Sequence, residues 1–189
     1  MEKEKTGVIS VALKLFVICF VSTLILAFVN TITKDVIKKN SDEAFKKACK
    51  EVVSACADIK IIELKEYPEV DAALLLDENK KTVGIAIRQS VKGYNKGIDL
   101  LTCVKNDGVT LYGIDIIDHQ ETPGYGARAD EPKFTNQFKD KIAPVKTIEN
   151  GGEIAAISRA TKTTKGILDS GVNVAVKAAK AGLEKEGLL

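Results

Sequence analysis

GIDLLTCVKNDGVTLYGIDII, residues 97–117, is the stretch whose reading decides the fold. Two apolar runs, 97–104 and 110–117, flank Asn106-Asp107-Gly108. Asp-Gly between two such runs is a strong hairpin signal, because the tight turn needs positive φ. Working outward, residues 82–91 alternate, with Val83, Ile85 and Ile87 set against Gly84, Ala86 and Arg88. Residues 71–76 form a further strand candidate, closed by Asp77-Glu78-Asn79-Lys80, and residues 59–64 a shorter one. These runs predict an antiparallel meander of four or five strands. At either end the period changes to that of a helix. Phe45, Ala48, Cys49, Val52, Val53 and Cys56 form one apolar stripe, with Asn40 or Ser41 as its cap and Asp42 and Glu43 in its first turn. Ile167, Leu168, Val172, Ala175, Val176, Ala179 and Leu183 form another. A short helix is expected over 131–138. The fold class is α+β, with helices packed against one antiparallel sheet.

Ahead of this domain, residues 15–33 carry no charge across 19 positions and are mostly Leu, Ile, Val and Phe. At ~1.5 Å per residue such a helix nearly matches a hydrocarbon core of ~30 Å. A cleaved signal has an apolar region of only ~7–15 residues and a small-x-small site. Ala27-Phe28-Val29 is a poor one, so the run reads as a single-pass anchor embedded in membrane lipid. The expected organisation is an anchor over 1–34 and an α+β domain over 35–189. Lysines flank both ends of the run, so charge alone leaves its orientation open.

Composition excludes several function classes. The net charge is +2, and residues 1–40 hold six Lys against three acids, so the body is nearly neutral. A neutral body without Trp gives no electrostatic or stacking case for nucleic acid. His119 is the sole histidine, and Cys19, Cys49, Cys56 and Cys103 contain no C-x-x-C, which argues against a metal centre. All four thiols read as small buried hydrophobes.

Two segments remain that core packing does not explain. His119-Gln120-Glu121-Thr122-Pro123-Gly124-Tyr125-Gly126-Ala127 follows the last strand. Gly124 and Gly126 would permit unusual backbone angles and close approach of a ligand, and Tyr125 offers a flat face. Ser158-Arg159-Ala160-Thr161-Lys162-Thr163-Thr164 sits where a loop gives way to the last helix. Its hydroxyls are in the position of ordinary N-caps. They also gather at a helix mouth, where unpaired N–H groups and the dipole suit a phosphate.

Together, Glu121-Thr122-Pro123-Gly124-Tyr125-Gly126 and, roughly 35 residues on, Ser158-Arg159-Ala160-Thr161 resemble the motifs of the FMN-binding G subunit of Rnf electron-transport complexes. The C subunit of the sodium-pumping NADH:quinone oxidoreductase is similar. Both families pair an N-terminal anchor with an α+β domain, an E-T-P-G-x-G loop and a Ser/Thr-Gly-Ala-Thr motif; the short spacer between anchor and sheet favours the Rnf family. The resemblance implies FMN held through a phosphoester at the motif's last threonine, here Thr161. Ser158, Arg159, Ala160, Thr163 and Thr164 would surround the phosphate, with Thr163 and Thr164 donating to it. Glu121, Thr122, Gly124, Tyr125 and Gly126 would line the isoalloxazine. The chain departs from the family at Arg159, where Gly is usual, and at Ala155, where Asp is common.

The implied role is an electron carrier in a ferredoxin:NAD+ oxidoreductase that couples electron flow to Na+ or H+ movement. No stand-alone catalysis, catalytic residue or metal is expected. Its partners would be the other membrane and redox subunits and the flavin transferase that attaches FMN. Its soluble domain would lie outside the cytoplasm. The competing readings are a single-pass binding or sensor domain of the same fold without covalent flavin, and the sodium-pump C subunit.

Overall fold

A computed structural model of the chain describes residues 2–95 and 97–189. Two units divide at Glu43/Ala44. The first consists of residues of α1 (Glu2–Val52), whose apolar stretch is long enough to cross a membrane. Asn40 and Ser41 do not cap a second helix but lie inside α1. No Gly or Pro falls between Gly7 and Pro68, so nothing in the local sequence stops the helix there.

The second unit is built on five strands: β1 (Asp58–Ile62), β2 (Val70–Leu76), β3 (Thr82–Val91), β4 (Ile98–Lys105) and β5 (Leu111–His119). They form one antiparallel sheet in the order β1-β2-β3-β4-β5, as a meander requires. The 106–108 turn is as expected: Gly108 has φ 72°, and Asp107 Oδ1 accepts the N–H groups of Val109 (3.0 Å) and Thr110 (2.8 Å). Against the opposing effect of burial, hydrogen bonds from Thr110 and Val109, with Lys105 nearby, hold the Asp107 carboxyl below its ordinary range.

Both faces of the sheet are covered, which is why its strands read as nearly continuous apolar runs. On one face Leu74, Ile85, Ile87, Leu100 and Val104 pack against Ile167, Leu168, Val172, Ala175 and Ala179. On the other, Ala73, Leu75, Ala86, Leu101 and Cys103 pack against Phe45, Ala48, Cys49 and Val53. Alternate residues of each strand thus serve opposite cores. Cys49, Cys56 and Cys103 are buried, whereas Cys19 is exposed on α1. Cys56 lies past the end of α1, not on it, and its thiol donates to the Asp58 carbonyl at 3.3 Å. The adjacent Cys49 thiol and complete burial push the Cys103 thiol well above its ordinary value.

After β5 the chain forms short helical turns, among them α2 (Pro132–Thr135), with Phe134 and Phe138 edge-to-face at 5.3 Å. The expected 131–138 helix is therefore one α turn finished by a tighter 3-10 turn. The C-terminal helix is α3 (Thr161–Lys165), a π-helical stretch (Gly166–Val172) and α4 (Asn173–Lys185) in succession. Within the π-helical stretch the Gly171 carbonyl accepts from Gln89 Nε2 of β3 at 2.8 Å.

Candidate functional site

The sheet register brings two loops to one end of the domain. Val91 pairs with Ile98, and Ile98 pairs with His119, so the β3–β4 turn lies beside the exit of β5. The C-terminal helix closes on the same place: a Cβ on Gly166 would stand 2.2 Å from the Lys92 carbonyl oxygen.

Glu121 ties these pieces together. Its side chain is buried, 6% exposed. One oxygen accepts the Asn95 N–H at 2.8 Å, and the other accepts the Thr163 hydroxyl at 2.7 Å. Asn95 Nδ2 adds a bond to the Gln120 carbonyl at 2.8 Å. The carboxyl fits only because two neighbours lack side chains. A Cβ on Gly93 would lie 2.5 Å from Oε1, and one on Gly126 would lie 2.1 Å from Oε2. So Gly126 serves close packing by the protein's own carboxyl. Gly124 serves backbone conformation instead, with φ 77° and open space where a Cβ would be. His119 orients the loop start: Nδ1 accepts the Glu121 N–H at 3.3 Å, and Nε2 lies 3.3 Å from Asp130 Oδ2.

The second segment is a β-turn feeding a helix. The Ala160 N–H donates to the Ile157 carbonyl at 3.0 Å, closing a turn over Ser158 and Arg159. Arg159, at the third turn position, has φ 62°. That is a left-handed conformation that turns of this kind normally give to Gly. The Thr164 hydroxyl fastens the turn, accepting from the Ile157 N–H at 3.0 Å and donating to the Ala160 carbonyl at 3.1 Å. α3 then starts with Ala160 as its N-cap and no capping side chain. Its first backbone bond runs from Thr164 N–H to Ala160 O. Among the described residues, the N–H groups of Thr161, Lys162 and Thr163 therefore have no partner, and neither has the exposed Thr161 hydroxyl.

Between the loops lies a cleft of about 430 Å³. From the first segment it takes Glu121, Thr122, Tyr125 and Gly126; from the second, Arg159, Ala160, Thr161 and Thr163. Three expected residues stand apart. Gly124 does not line it, Ser158 faces a different cleft beside Arg128 and Lys133, and Thr164 is buried behind the turn. Nor do the hydroxyl protons of Thr163 and Thr164 point to a ligand: both go to protein acceptors. Tyr94 and Lys162 complete the lining, and sequence reading passed over both. The available signal was the run Gly93-Tyr94-Asn95 in a turn at the same end of the sheet as residue 120. A cleft of about 460 Å³ lies elsewhere, between residues 140–146 and 151–154. It contains none of the expected residues, and its Lys141 and Glu153 side chains pair with each other.

An FMN-binding domain matches residues 93–177, which contain every residue of this cleft, and an RnfG N-terminal region matches residues 1–52. The G subunit of the ion-translocating oxidoreductase complex of Methanosarcina acetivorans is 31% identical over 174 residues, covering 89% of this chain and 91% of that protein. The G subunit of the proton-translocating ferredoxin:NAD+ oxidoreductase complex of Clostridium ljungdahlii is 30% identical, covering 93% and 94%. Its counterpart in the Na+-translocating complex of Acetobacterium woodii is also 30% identical, covering 90% of both. Shewanella oneidensis NqrC superposes with a TM-score of 0.52 at 17% identity, covering 70% of this chain and 73% of that one, which shows a shared fold. The family match over residues 93–177 thus defines an FMN-binding domain. The chain belongs to the family of G subunits of Rnf-type ion-translocating oxidoreductase complexes.

Proposed function

We propose that this chain is a single-pass membrane electron carrier with FMN joined by a phosphoester to Thr161. The observation that carries the reading is that segments 121–126 and 159–163, distant in sequence, line one cleft with the Thr161 hydroxyl exposed at its edge. The fit to the cofactor is good. The volume falls within the ~300–1,000 Å³ of small-molecule sites. Three unpaired N–H groups and Arg159 suit a phosphate. Tyr94 and Tyr125, 66% and 47% exposed, offer apolar faces to a ring.

When bound, the flavin supplies the redox chemistry; the protein supplies position and electrostatics. Thr161 tethers it, the start of α3 holds the phosphate, and Glu121 fixes both walls of the cleft without facing a substrate. Residues 1–34 act as the anchor and 35–189 as the flavin domain, on the extracytoplasmic side. Residues 15–33 contain no acidic side chain, so ion passage is assigned to partner subunits. The relatives named for protons and for sodium are equally identical to this chain, at 30%, which fits a component that does not choose the ion.

The test is Thr161→Ala, co-expressed with a flavin transferase. The parent band should fluoresce after denaturing electrophoresis, and its intact mass should exceed that of the polypeptide by one FMN less a water. The variant should lose both signals yet keep its thermal transition within ~1 kcal/mol of the parent, because no packing or cap is removed. A parent chain without flavin would favour a cofactor-free binding domain, and flavin retained on Thr161→Ala would move the attachment elsewhere.

A further inference from the structure

Among the described residues, Lys162 is the one charged side chain in the cleft to which the flavin reading assigns no task. It follows Thr161 directly and is exposed. Among the described residues it has no carboxylate partner, and its Nζ lies 5.4 Å from the centre of the Tyr94 ring. Tyr94 belongs to the β3–β4 turn, and the adjacent Asn95 is fastened twice to the 120–121 backbone and side chain. The turn is therefore anchored while the ring stands in the open, 66% exposed, beside the ammonium. Lys162 is tethered from the other side by α3. Among the described residues Glu121 is the only acid lining the cleft, and both its oxygens are occupied by Asn95 and Thr163. Among the described residues two cations, Arg159 and Lys162, thus face a single committed carboxyl.

Resting on the reading that FMN occupies this cleft, we propose that Lys162, positioned by the Tyr94 ring, raises the flavin's reduction potential. Two electrons from a reduced donor and one proton from solvent leave the reduced flavin with one more negative charge than the oxidised form. A fixed cation beside the ring favours that form, because charge near the ring is one of the levers a protein has on flavin electronics. Arg159 is bound into the turn next to the attachment point and offsets the phosphate, which leaves Lys162 as the cation for the ring. The cation–π contact restrains the flexible lysine beside the Tyr94 ring at the cleft.

The experiment is a spectroelectrochemical titration of the flavinylated full chain in detergent, with dithionite as reductant. Lys162→Met should lower the equilibrium constant for two-electron reduction about tenfold, a fall of about 30 mV. Lys162→Arg and Tyr94→Phe should stay near the parent, because each retains its half of the pair. Tyr94→Leu should fall between. The gap between parent and Lys162→Met should shrink in about 1 M salt, as expected for an accessible charge. In-gel fluorescence on every variant separates the possible failures. A fully loaded Lys162→Met with the parent's potential overturns the inference and leaves the flavin reading intact. A Lys162→Met that carries no flavin assigns the residue to attachment and also overturns it. A parent without flavin removes the reading beneath it.

Discussion

The Thr163 hydroxyl donates to Glu121 across 42 residues of sequence at 2.7 Å, in a site where neither side chain is exposed by more than 6%. This bond joins the loop after β5 to the first turn of the C-terminal helix. With Asn95 on the other carboxyl oxygen, it also fixes the β3–β4 turn. Three segments thus converge on one buried group. Both motifs hold a residue whose chemistry is spent on the other motif, not on a ligand.

Thr163→Val keeps the volume and removes the donor. It should destabilise the chain by about 1–3 kcal/mol, because a buried carboxyl loses a bond it cannot replace with water. For a chain of this length that is roughly 2–4 °C in Tm per kcal/mol. Glu121→Gln should cost a similar amount. In the double variant the two costs should fall short of additive by more than about 0.5 kcal/mol, since both alter the same contact. Strict additivity in thermal melts would show that the pair is not coupled.

The two glycines of the first motif should respond differently. Gly126→Ala puts a methyl where Glu121 Oε2 and Thr163 Oγ1 stand, 2.1 and 2.7 Å away, so the buried pair must move. The expected cost is about 1–3 kcal/mol, as for other overpacked sites, together with loss of flavin. Gly124 faces open space, so only its φ of 77° matters there. Gly124→Asn should therefore be nearly neutral and Gly124→Val destabilising, because Asn visits the left-handed region and a β-branched residue does not. Equal effects of Gly124→Asn and Gly126→Ala would contradict this division.

Much of this was legible in the sequence. The Asn-Asp-Gly turn and the apolar runs pointed to four or five strands, and five are present, because a sheet buried on both faces leaves strong runs. Phe45, Ala48, Cys49 and Val52 packed on one helix face as their period placed them, whereas Cys56 lies past the helix end, and the two motifs line the same cleft. What escaped shares one physical cause: local pattern says which face a residue occupies, not which partner awaits it. Nothing local distinguishes Thr163 and Thr164, whose protons turn inward, from Thr161, whose hydroxyl does not. Asn40 and Ser41 resemble caps, yet a helix needs a reason to stop and none is present. Tyr94 and Asn95 matter only because the register sets their turn beside residue 121.

Arg159 occupies a turn position with φ 62°, where a side chain costs about 1 kcal/mol or more. The family's usual Gly at this place now has a conformational reason. Arg159→Gly should be more stable than Arg159→Ala by about 1 kcal/mol, because Ala loses the guanidinium but keeps the strain. If thermal melts ranked Ala level with Gly, the turn would not be strained at residue 159. Flavin loading of Arg159→Gly should equal or exceed the parent's, since the turn is relaxed toward the form the helix mouth already uses.

Asp115 gives the chain a predictable dependence on pH. It lies on β5, and burial, reinforced by Glu51 and Asp130, raises its pKa above the ordinary 3.8 despite a bond from the Ile116 backbone. A raised carboxyl pKa means that the folded chain holds this proton more tightly than the unfolded chain. Its contribution therefore favours folding below the ordinary value and is lost as pH rises through the folded value. At neutral pH the carboxylate opposes folding. Asp115→Asn should then raise Tm at pH 7, and the gain should vanish as pH falls below about 3.8. Asp58, Asp107 and Asp140 shift downward and so lose stability on acidification, but they are common to both chains and cancel in the difference. A variant less stable than the parent at pH 7 would mean that the Asp115 carboxylate has a favourable partner in the folded chain and stabilises it.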